Sequence, residues 1–324
     1  MKKLSIILII LLIAATTLAG CSKEEGHTKI TVVLDWTPNT NHTGLYTALE
    51  KHYFIDEGLL VEIIQPTEGT AEQLVAANTA QFGISYQENV TFARAAGVPI
   101  VSIAAIIQHN TSGFISPADE NITSPADFAG KKYGGWGTDI ETAIVKHLMV
   151  EDGADPDDVN IVTIGDTEFF AACDADEIDF GWAYEAWTLQ DAVLKGRDVN
   201  YFSMISFSEE LDFYTPVIIT NENNIKNNKK LVEKFMRAVK KGYEYAIAHP
   251  QSAAGDLLNH VPELDFDLVW ASQLFLADKY QADADMWGIQ DKSRWDNYTN
   301  WLYENGLIES NIKTEDAFTN EFIK

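Results

Sequence analysis

Five short stretches of the sequence set aromatic rings beside carboxylates or amides. Asp35-Trp36 leads into Asn39, Asn41 and His42; Tyr86 comes just before Glu88 and Asn89; Gly135-Trp136 leads into Asp139 and Glu141; Trp182, Tyr184, Glu185 and Trp187 crowd together; Asp212 adjoins Phe213 and Tyr214. Flat rings offer stacking faces worth about 0.5–1.5 kcal/mol beyond the area they bury. Amides and carboxylates beside such faces can read the edge of a flat heterocycle by hydrogen bonding. Trp36, Tyr86, Trp136 and Tyr184 are the candidate stacking rings, while Trp182 and Trp187 serve equally well as packing. Glu185, between Tyr184 and Ala186, is the expected ring-edge carboxylate, able to share one proton with a basic ring nitrogen. Asp35, Asn39, Asn41, His42 and Glu88 are candidates for the remaining polar contacts.

Signals for other chemistry are missing. The sequence has no HExxH, no cysteine pair and no tight histidine cluster, so no metal site is expected. Gly134-Gly135-Trp136-Gly137 matches neither a dinucleotide fingerprint nor a P-loop. Cys173, next to Ala171 and Ala172, reads as a buried thiol, and His52, His147, His249 and His260 as helix-surface residues. The pattern points to ligand capture without catalytic residues or a cofactor.

The chain begins Met1-Lys2-Lys3, runs apolar from Leu4 to Leu18, and continues Ala19-Gly20-Cys21. A basic start, an apolar stretch too short for a spanning helix and small residues before a cysteine form a bacterial lipoprotein signal. Residues 1–20 are expected to be removed, Cys21 acylated (a palmitate-type anchor), and 21–27 left as a tether on the extracytoplasmic face of the cell membrane. One acyl chain binds membranes with only ~10⁴ M⁻¹, so firm anchoring calls for a diacylated cysteine. The formal charge is −26, from 49 acidic and 23 basic residues. So acidic a surface disfavours nucleic acid and anionic lipid as partners. A monomer is expected.

Strand and helix patterns alternate. Strands are expected at 30–34, 61–65, 81–85 and 98–108, with helices at 44–52, 71–77 and 87–96. The rhythm restarts with strands at 131–135, 159–164, 178–182, 201–205 and 216–220 and helices at 139–149 and 169–173. Helices follow at 229–248, 251–260, 265–279 and 291–305. Such alternation gives an α/β fold with mostly parallel sheets. Residues 111–115 and 213–217 read as interdomain crossings, giving a first domain of 28–112 and 216–324 and an inserted second domain of 113–215. Ligands of open α/β sheets sit beyond the carboxyl ends of the strands, where the aromatic stretches fall.

Asp35-Trp36-Thr37-Pro38-Asn39, His42-Thr43-Gly44-Leu45, Tyr53-Phe54 and Glu57-Gly58-Leu59 together resemble the opening of the NMT1/Thi5-like family. The resemblance covers essentially all of residues 21–324, and the lipobox narrows it to the thiamin-pyrimidine-binding lipoproteins of ABC importers. It implies a type II periplasmic binding protein fold: two α/β domains joined by two crossings, with the ligand cleft between them. It implies a formylated aminopyrimidine as ligand and ABC permease subunits as partners. Fungal members of the family are pyrimidine synthases. Their pyridoxal phosphate lysine and catalytic histidine fall at Ser85 and Asn89 here, and their cysteine-rich run at Asp212-Phe213-Tyr214-Thr215-Pro216, so the synthase chemistry is not implied. Another branch of the fold takes sulfonates or nitrate. Asp35, Glu88, Glu141 and Glu185 at the strand ends disfavour an anion, and other flat heterocycles stay open.

Overall fold

The structure is a computed structural model that describes residues 26–165 and 167–323. The expected signal segment, 1–20, and the expected acylation site, Cys21, lie outside the described residues. Among the described residues there are ten strands: β1 (Thr28–Val33), β2 (Leu59–Ile64), β3 (Phe82–Ser85), β4 (Ile100–Ala105), β5 (Ser112–Pro117), β6 (Lys132–Gly135), β7 (Asn160–Thr163), β8 (Phe180–Tyr184), β9 (Val199–Ser203) and β10 (Val217–Asn221). They form two five-stranded sheets, ordered β2-β1-β3-β10-β4 and β7-β6-β8-β5-β9.

Four strands of each sheet run the same way, as the mostly parallel expectation has it, and one is reversed, which makes both sheets mixed. β10 runs antiparallel to β3 and β4, and β5 runs antiparallel to β8 and β9. The crossings explain the reversal. β4 ends on the same side as β3, so the chain enters the second sheet from that side and β5 must run away from it. β9 brings the chain back, and β10 leaves in the same way. The stretch expected as a plain crossing at 111–115 is therefore mostly strand β5.

Glycine sets the tightest helix contact beside the first sheet. A Cβ on Gly242 would lie 2.0 Å from the Gly44 carbonyl oxygen, and one on Gly44 would lie 2.3 Å from the Tyr243 ring. Helices Thr43–Glu50 and Lys229–Ala248 thus cross with their backbones nearly touching. Val232, Phe235, Met236, Val239, Tyr243 and Ala246 recur every three or four residues and bury one helix face in the core. Phe235 stacks on Phe82 of β3 at 3.8 Å. Burying each such side chain contributes about 1.5–3 kcal/mol.

The two halves also exchange side chains. Helix Lys292–Glu304, which sequence grouped with the first domain, packs Tyr298, Trp301 and Leu302 into the core of the second sheet. In the other direction, β8 continues into a π-helical turn, Glu185–Leu189. Its Ala186 joins the core of the first sheet, and Trp187 packs against the cluster of Tyr46, Leu257 and Val269. Where the crossings meet, Asp212 accepts the Asn110 backbone N–H at 2.9 Å and pairs with His109 at 2.7 Å and Arg294 at 3.1 Å. Asp212 therefore ties the two connections together.

Candidate functional site

The loop after β1 is organised by its own polar residues. Asn39 caps a short 3-10 turn, Thr40–His42, with its side-chain oxygen accepting the Asn41 N–H at 2.8 Å. Its amide also donates to the Thr37 carbonyl at 3.0 Å, so Asn39 is engaged in shaping the loop. The Asn41 carbonyl is held by the Tyr243 hydroxyl at 2.7 Å. His42 is fully buried and lies 2.7 Å from Asp35 Oδ1. The other oxygen of Asp35 accepts the Tyr86 hydroxyl at 2.6 Å. Burial opposes charge on Asp35, but His42 and Tyr86 outweigh it and hold the carboxyl below its ordinary range.

Tyr86 enters this cluster from the end of β3, and Glu88 follows at the start of helix Gln87–Ala95. Glu88 accepts the Tyr298 hydroxyl at 3.3 Å. Burial, with the negative charges of Glu141 and Glu72 nearby, pushes its carboxyl up to about 7 against that hydrogen bond. Tyr184, at the end of β8, closes the group from the second sheet. Burial raises its phenol far above the usual range, and the charges of Glu88, Asp35 and Glu141 add to that. The same mutual influence links Tyr86 to Tyr184 and Glu88. Asp35, Tyr86 and Glu88 from one sheet thus share a neighbourhood with Tyr184 and Glu141 from the other.

Glu141 has a different setting. It accepts the Tyr133 hydroxyl at 2.8 Å, the Trp136 N–H at 3.1 Å, and the Thr138 N–H and hydroxyl at 3.0 and 2.8 Å. Gly135 makes room for it: a Cβ there would lie 2.4 Å from its Oε1. Trp36 and Trp136 stand out at these strand ends, 55% and 53% exposed. Trp182 instead packs on Phe114 within the second core at 6.1 Å between ring centroids.

Glu185 is not in this group. Its backbone N–H bonds the Thr111 carbonyl at 3.0 Å, and it opens the π-helical turn. Burial raises its carboxyl and Lys279 counters that; burial raises the phenol of Tyr201, and the charge of Glu185 adds to it. Glu88, not Glu185, is the carboxylate that shares the neighbourhood of Asp35, Tyr86 and Tyr184. Sequence reasoning also missed Tyr298, which comes from a helix 210 residues along the chain from Glu88. His147, expected on a helix surface, is half-buried and bonds Ser208 Oγ at 2.9 Å. Burial pushes the Cys173 thiol up to about 12. Ser85 and Asn89 both bond the same Glu72 oxygen. Among the described residues, no three His, Cys, Asp or Glu side chains converge to hold a metal ion.

Two mixed α/β sheets, chain crossings between them and polar strand ends facing one another define a type II periplasmic binding protein fold. The alkanesulfonate-binding protein SsuA from Xanthomonas axonopodis pv. citri has the same fold, with a TM-score of 0.68 at 11% identity over 90% of this chain and 98% of that one. The chain belongs to the NMT1/THI5-like family, whose model matches residues 39–253. It is 30% identical to the formylaminopyrimidine-binding protein of Halalkalibacterium halodurans over 98% of both chains. A 4-amino-5-hydroxymethyl-2-methylpyrimidine phosphate synthase of Saccharomyces cerevisiae is 27% identical over 74% of this chain and 73% of its own length.

Proposed function

We propose that this protein captures a formylaminopyrimidine outside the cell for an ABC importer, without transforming it. The observation that carries the reading is Glu88: a half-buried carboxyl poised near neutral pH, beside Tyr86 and across from Tyr184. A 4-aminopyrimidine edge places an amino donor next to a basic ring nitrogen. A protonated Glu88 satisfies both, donating to the nitrogen and accepting from the amino group. Trp36 and Trp136 supply ring faces from opposite sheets. The similarity to the formylaminopyrimidine-binding protein supports the same chemistry.

Ser85 and Asn89 support binding rather than synthesis. Neither side chain can form a Schiff base, and Glu72 holds both. In this reading 28–112 with 216–324 make one domain and 113–215 the other, and the ligand favours their closed arrangement. Cys21, acylated, tethers a monomer to the extracytoplasmic face of the membrane. Calorimetric titration with the formylaminopyrimidine and with an alkanesulfonate tests the ligand class. Saturable heat with the pyrimidine alone is expected. Binding of the sulfonate alone overturns the reading.

A further inference from the structure

The contacts behind Tyr86 fix where its proton points. The Asn39 backbone N–H donates to Nδ1 of His42 at 3.1 Å. A ring nitrogen that accepts a hydrogen bond carries no proton, so the proton of the neutral ring sits on Nε2. That nitrogen lies 2.7 Å from Asp35 Oδ1 and donates to it. The side chain of Asp35 is only 4% exposed and that of His42 fully buried, which shields the pair from water. An ionised carboxylate can only accept, so the Tyr86 hydroxyl must spend its single proton on Asp35 Oδ2, 2.6 Å away. The Tyr86 oxygen then faces Tyr184 and Glu88 with lone pairs and no proton to give.

We infer that Asp35 and His42 are positioning residues that make Tyr86 an acceptor only, so that the site selects a ring bearing an amino N–H at that edge over one bearing a carbonyl. The inference rests on the pyrimidine reading above for the kind of ring, but not for the direction of the proton relay. It reassigns two side chains that sequence placed among the direct ligand contacts. It also explains why a fully buried histidine stands in the first loop: His42 fixes Asp35, and Asp35 fixes the donor direction of Tyr86.

The test compares two probes, the 4-amino formylaminopyrimidine and its 4-oxo analogue, on the full protein by calorimetry. Wild type should prefer the amino form by at least about tenfold. Asp35→Asn places an amide N–H within reach of the Tyr86 oxygen and frees its hydroxyl to turn, so the preference should shrink or reverse. An equal loss for both probes would reduce Asp35 to a structural role and overturn the inference. Should the Asn variant fail to fold, the ring tautomer of His42 in wild type decides the matter by nitrogen NMR. A proton on Nε2 with Nδ1 bare is required, and the opposite tautomer or a doubly protonated ring overturns the relay. If wild type binds neither probe, the pyrimidine reading fails separately and the tautomer still judges the relay.

Discussion

Glu88 and Glu141 occupy matching places on opposite sheets, each in the first turn of a helix that follows a strand end. Glu141 is met by four different donor groups within its own segment. Glu88 has a single contact at 3.3 Å and a carboxyl raised to about 7. The same side chain at the same kind of position is structural in one half and available in the other. Hydrogen-bond saturation separates the two, because a buried carboxylate with its acceptor sites filled has nothing left to offer a ligand.

The largest effect should come from breaking the saturated side. Glu141→Ala leaves the Tyr133 hydroxyl and the Trp136 and Thr138 N–H groups without their acceptor, and denaturant unfolding should show a loss of about 3–4 kcal/mol. A loss under about 1 kcal/mol would mean that water replaces the carboxylate freely.

The available side should respond with the opposite sign. The carboxyl of Glu88 rises from 4.5 to about 7 on folding, so the folded state holds a proton that the unfolded chain releases. Stability contributed by this group is complete below about pH 4.5 and lost as pH rises through about 7. Glu88→Gln should therefore stabilise the ligand-free protein by about 2–3 kcal/mol near pH 8 and by almost nothing near pH 4. Equal unfolding curves for variant and wild type at both pH values would show that Glu88 is solvated.

The exposed rings offer a smaller effect that appears in binding alone. Trp36→Ala and Trp136→Ala should each weaken ligand binding by about 0.5–1.5 kcal/mol while the melting temperature stays put. Unchanged affinity in both would remove the stacking faces from the account. Least of all is expected of Glu185→Gln, whose ligand affinity should match wild type, since the charges acting on and from its carboxyl are those of Lys279 and Tyr201. A loss as large as that of an apolar Glu88→Leu variant would return the ring-edge role to Glu185.

Much of the scaffold was legible from periodicity. Helix Lys229–Ala248 has the expected bounds because its apolar residues recur at helical spacing along its whole length. Strand β5 was not legible: Ser112-Gly113-Phe114-Ile115-Ser116-Pro117 carries Gly, Ser and Pro, the residues of a turn, and becomes a strand only between β8 and β9. The reversal of β5 and β10 was equally hidden, since alternation of side chains is the same in parallel and antiparallel pairs. At strand ends, the sequence named Asp35, Tyr86, Glu88 and Tyr184, which the structure brings into one neighbourhood. The sequence could not show that Tyr298 arrives from a distant helix to bond Glu88.

The central claim is that Glu88 shares one proton with the bound ring, and the pH dependence of affinity tests it most directly. Calorimetric titrations of the formylaminopyrimidine from about pH 6 to about pH 9 should show wild-type affinity falling by roughly tenfold per pH unit above the Glu88 value of about 7, as the complex must recover a lost proton. Glu88→Gln, which keeps a neutral donor and acceptor in place, should bind with a flat profile across that range. A flat wild-type profile, or a Gln variant that keeps the wild-type slope, would contradict the account.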